Sequence, residues 1–160
     1  MRKRTNSKSG PVTAVPNDEG DLGEMLEEVR ILLPGAQVLT AFLITLPFSP
    51  VFAQIVQSEK WVFTATFLCS TVSLVLFSAP AAQHRLMRPL TNRVRFKRYA
   101  TREILLGCIA LSLALVLATD LVVAVVMGER AAAVIAALIA VLIGTVWWLL
   151  PWRWKTRSDV

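Results

Sequence analysis

The chain has 160 residues, 55% of them hydrophobic, a mean hydropathy of +0.58 and a formal net charge of +6. Soluble domains average about 45 to 50% apolar residues, so this composition points to the membrane, and four spans would leave too little chain for a separate catalytic domain. The basic residues flank apolar stretches, which speaks against nucleic acid as a partner and for anionic lipid headgroups.

Residues 1–20 are rich in Arg, Lys, Ser, Pro, Gly and Asn, have no apolar period, and read as a disordered cytoplasmic arm. From Asp21, the Asp21/Glu24 pair resembles a capping box, and Leu22, Met25, Leu26, Val29 and Leu33 follow helical spacing. A short amphipathic helix is expected there, starting at Asp21 and kinking near Pro34, whose ring crowds the Arg30 carbonyl.

The first uncharged stretch gives a span at about residues 31–48, and Pro47 and Pro50 should break it at the far surface. Gln37 is its one strongly polar mid-span residue. A rival reading makes Ile31 to Leu46 a signal-peptide core cleaved after Val51-Phe52-Ala53. The acidic lead (Asp18, Glu19, Asp21, Glu24, Glu27, Glu28) argues against it, because signal n-regions are short and positive.

The second span, about 61–83, carries Thr64, Thr66, Ser70, Thr71, Ser73 and Ser78. Such hydroxyls usually bond to carbonyls of their own helix one turn back, so they do not by themselves make a polar path. His84 and Arg85 close the span, and Arg88, Arg93, Arg95, Lys97, Arg98 and Arg102 follow in a basic segment. His84 is a candidate titrating group. Together with Arg85, Arg93, Arg95, Lys97 and Arg98, it forms a candidate interface for headgroups or for Glu24, Glu27 and Glu28.

The third span, about 104–126, is interrupted only by Asp120. A carboxylate in hydrocarbon is costly, so Asp120 either reaches the surface, pairs with Arg130 across the turn, or serves as a proton or cation site. The fourth span, about 131–151, carries Ala132, Ala136, Ala140 and Gly144 at intervals of four. Gly107, Ala110, Ala114 and Ala118 offer span three a matching face, which predicts a close hairpin of spans three and four. Residues 153–160 form a tail.

Only Lys60 and Arg130 fall on the side of the weave opposite the other basic residues. Positive charge stays inside, so both termini are expected in the cytoplasm of a bacterial inner membrane. Cys69 and Cys108 lie mid-span and a single His is present, so no disulfide, metal or cofactor is expected.

The fold class is therefore all-α and polytopic: four transmembrane helices in a bundle, preceded by the amphipathic helix. The run Leu32-Leu33-Pro34-Gly35-Ala36-Gln37, continuing through Ala41-Phe42-Leu43 to Pro47-Phe48-Ser49, with Ala79-Pro80-Ala81-Ala82 and His84-Arg85, resembles a family of short bacterial membrane proteins. That family is classed as a domain of unknown function, and automated labels in such families sometimes say sodium/proton antiporter. The resemblance runs from about Glu24 to Pro151 and implies the four-span architecture. The expected role is that of a non-enzymatic membrane component that self-associates or serves a larger complex. The alternative is an oligomeric proton-coupled cation or small-molecule transporter using Asp120 and Gln37.

Overall fold

The computed structural model describes residues 18–50, 52–86, 93–150 and 153. All regular structure among them is helical: α1 (Asp18–Thr45), α2 (Gln57–Leu86), α3 (Arg93–Met127) and α4 (Glu129–Ile143), which continues as a π-helical segment, Gly144–Leu149. Residues 1–17 of the expected arm, loop residues 87–92 and the tail after 153 lie outside the described residues.

Among the described residues, four helical stretches are long and apolar enough to cross a membrane: Val29–Phe48, Gln57–Gln83, Arg98–Met127 and Glu129–Leu149. At about 1.5 Å rise per residue each covers the roughly 30 Å hydrocarbon layer, and the chain is a multi-pass membrane protein. The amphipathic segment is not a separate element. It is continuous with the first span in α1, which includes Pro34 and begins at Asp18, three residues before the expected start. Acidic side chains in a first turn complement the positive end of the helix dipole, which favours the earlier start.

As Pro47 and Pro50 predict, α1 stops at Thr45. Two 3-10 turns follow, Leu46–Phe48 and Phe52–Gln54; Ser49 N–H donates to the Leu46 carbonyl at 3.0 Å to close the first, and Phe52 N–H donates to the Ser49 carbonyl at 3.1 Å in the connection between them. The Phe52 ring then meets Phe63 of α2 edge-on, with centroids 4.8 Å apart, which folds the connection back onto the bundle.

The helices pack in chain order. α2 lies between α1 and α3, α1 also touches α3, and α4 rests on α3 alone among the described residues. Across α2 and α3, Gln83 meets Glu103, Phe77 meets Gly107, and Val62 shares a pocket with Asp120, so the two run antiparallel. The core lies where α1, α2 and α3 converge on Phe77, which is fully buried against Val29, Ala36 and Leu111, with Leu33, Leu74, Ile104 and Cys108 around it.

Gly107 lets the backbones meet there. A Cβ at this position would sit 2.7 Å from Phe77 Cε1 and 3.3 Å from Leu76 Cβ. Gly107 thus serves the α2 contact and does not belong to the α4 hairpin seam that its spacing suggested. The hairpin itself is built by α4 packing on α3, with Ala132 and Ala136 buried in its first turns, where Ala132 lines one pocket with Asp120 and Ala124 of α3. Its turn is Gly128, at φ +89°, a left-handed conformation that glycine adopts without steric cost.

The small-residue stripe expected on α4 divides. Ala132 and Ala136 are buried, whereas Ala140 is exposed and Gly144 has no atom within 4 Å of an added Cβ. Successive helical residues turn by about 100°, so Ala140 and Gly144 share a face with exposed Ala133 and Ala137, roughly a quarter turn from the side that meets α3. The π-helical segment then adds backbone to the last turns, with Leu150 N–H reaching the Thr145 carbonyl five residues back.

Candidate functional site

The arrangement gives the molecule two chemically distinct ends. One gathers Arg30, Arg85, Arg98 and Arg102, all exposed. The other, around the Gly128 turn, gathers Glu59, Asp120 and Glu129 with Lys60 and Arg130 beside them.

At the acidic end a pocket of about 210 Å³ is lined by Ser58, Glu59, Val62, Asp120, Ala124, Glu129 and Ala132, from three helices. Two of its carboxylates have local structural reasons to be there. Glu59 lies in the first turn of α2, where Oε2 accepts the Val56 N–H at 3.1 Å, and Glu129 lies in the first turn of α4. Each meets the positive end of its helix dipole and the unpaired N–H groups of a first turn. Asp120 has no such role, since it sits inside α3 about two turns from its end. It is partly exposed and lines this pocket with the two other carboxylates. Among the described residues no ion pair joins it to Arg130, the partner offered by the hairpin.

Gln37 is elsewhere. It is exposed on α1, next to Ala36 of the Phe77 core, and Thr40 one turn on faces Ser70 near the middle of α2. The pocket residues of α2, by contrast, are Ser58 to Val62 in its first turns. The structure does not bring Gln37 and Asp120 into one site.

Hydroxyls within the second span are satisfied locally. Thr64, Thr66 and Thr71 donate to the carbonyls of Lys60, Val62 and Phe67, and Ser73 and Ser78 to those of Ser70 and Val75, all between 2.7 and 3.0 Å. Ser70 is the exception, because its hydroxyl lies 2.7 Å from that of Thr40 on α1. Thr40 in turn donates to the Ala36 carbonyl at 2.8 Å, so Ser70 is the donor between the helices.

At the arginine end, Gln83 Nε2 donates to Glu103 Oε1 at 2.7 Å, while Glu103 Oε2 is buried and accepts no hydrogen bond among the described residues. Sequence reading missed this pair because hydropathy places Glu103 outside the third span. A signal existed: a single acid among arginines at the mouth of an apolar run. Arg85 and Arg98 are exposed, and neither forms an ion pair among the described residues. Side chains of His84, Arg93, Arg95 and Lys97, and of Glu24 and Glu28, lie outside the described residues, and Glu27 is exposed.

Neither the curated proteins nor the solved structures contain a match to the chain. A family profile does match, over residues 18–151, which takes in all four spans and both ends just described. The chain therefore belongs to the family of unknown function DUF6328.

Proposed function

We propose that this protein is a non-enzymatic component of a bacterial inner membrane that works by associating with copies of itself or within a larger membrane complex. Both termini and the arginine end face the cytoplasm. The observation that carries the reading is the small-residue face of α4: Ala133, Ala137 and Ala140 are exposed along one side, and Gly144 continues it with open space where a side chain would be. Lipid tails are as apolar as leucine, so membrane helices associate where small side chains let backbones approach closely.

The test is the mass of the full chain, purified in mild detergent and crosslinked through a cysteine at Ala137. A crosslinked oligomer that disappears on Gly144→Leu supports the reading. A monomer that copurifies with no other protein overturns it.

A second reading rests on the acidic pocket: Asp120, with Glu59 and Glu129 at its rim, binds a cation or proton, and oligomers exchange it across the membrane. Proton and sodium flux in liposomes, compared between the wild type and Asp120→Asn, decides this. Flux lost in the variant favours a transporter, and equal flux removes Asp120 from any such role.

A further inference from the structure

We propose that the exposed face of α3 at the arginine end is a binding site for one anionic phospholipid. Arg98 and Arg102 are one helical turn apart on a single face, both exposed. Leu105, Ile109 and Leu113 continue that face toward the bilayer centre, each about half exposed, and Tyr99 is exposed beside the arginines. The opposite side of the helix is consumed by packing, with Ala100, Gly107, Leu111 and Ala114 buried. Two guanidiniums stacked above a lipid-facing apolar ridge match a phosphodiester headgroup stacked above its acyl chains.

Length and charge support the match. α3 has 35 residues, about 50 Å, so it outruns the hydrocarbon layer and lifts Arg98 and Arg102 to headgroup level. From Arg102 to Leu113 is about 16 Å, one leaflet's worth of acyl chain. Among the described residues neither arginine has an ion-pair partner. The nearest carboxylate in sequence, Glu103, turns the other way and accepts from Gln83 of α2. Guanidinium presents forked donors that fit two phosphate oxygens, and Tyr99 places an amphipathic ring at the depth such rings prefer. The site therefore selects charge in the headgroup, and the ridge requires an intact lipid.

The experiment is native mass spectrometry of the full chain, delipidated in mild detergent and titrated with phosphatidylglycerol or with phosphatidylcholine of the same acyl chains. One phosphatidylglycerol should be retained in preference to phosphatidylcholine, and millimolar inorganic phosphate should not displace it. Arg98→Gln with Arg102→Gln should weaken that binding about thirtyfold. Arg98→Lys with Arg102→Lys should keep most of the preference, which also shows that changes at this face leave the fold intact. Arg30→Gln, at the same end but on α1, should leave it unchanged. Equal retention of the two lipids, displacement by phosphate, no loss in the double glutamine variant, or an equal loss in Arg30→Gln would each overturn the proposal.

Discussion

The hydroxyls of Thr40 and Ser70, 2.7 Å apart and both buried, form the hydrogen bond that joins α1 to α2 in the middle of the membrane. Thr40 spends its own proton on the Ala36 carbonyl, so Ser70→Ala removes one bond and leaves Thr40 satisfied. Buried interhelical bonds of this kind contribute about 0.6 kcal/mol on average, because the separated helices find other partners. A double-mutant cycle of Ser70→Ala and Thr40→Val, read by unfolding in detergent, should give a coupling near that size. A coupling of zero would mean that the contact holds nothing together.

Gly107→Ala should be far more damaging than an exposed glycine-to-alanine change. The new methyl meets the edge of the buried Phe77 ring at 2.7 Å, and that ring is held by Val29, Ala36 and Leu111. Overpacking of this kind costs about 1–3 kcal/mol. The matching change Gly144→Ala, where no atom lies within 4 Å, should leave the unfolding midpoint of a monomeric preparation unchanged or raise it. Combining Gly107→Ala with Phe77→Leu should recover part of the loss, and thermal unfolding of the three variants would show it.

Gln83 and Glu103 should behave as a unit. Gln83→Leu leaves the carboxylate with both oxygens unpaired, and Glu103→Leu strands the Gln83 amide, so each alone should destabilise by about 1–3 kcal/mol. Replacing both with leucine removes the polar groups together and should cost much less than the two single changes added. Additive losses in a melting experiment would contradict the pairing.

The proposed threading predicts which positions an impermeant maleimide reaches. In a chain whose Cys69 and Cys108 are replaced, a cysteine at Glu129 should label in intact cells, and one at Arg85 only after the membrane is opened. The reverse pattern would place the arginine end outside.

Much of this architecture was legible in the sequence because hydropathy reports solvation, and the four spans are above all solvation facts. Their ends were less legible. Backbone hydrogen bonding carries α3 through Arg93 to Arg102 and α1 back to Asp18, where apolarity has already stopped. The stripe of Ala132, Ala136, Ala140 and Gly144 was visible, but spacing alone could not show that a quarter turn divides it between an occupied face and a free one. The acidic pocket was hidden for a related reason. Glu59 and Glu129 are far apart in sequence, and only the packing of the helices sets them beside Asp120.

One consequence concerns how such a chain is made. Because α4 leans on α3 and on no other helix among the described residues, the Phe77 core is complete before the last span is needed. As the polypeptide leaves the ribosome, its first three helices can therefore settle against one another while the fourth is still being synthesised. The glycine hinge at position 128 then lets the late arrival swing down onto a surface already built. A chain truncated after Met127 should accordingly accumulate as an inserted, protease-resistant three-helix body.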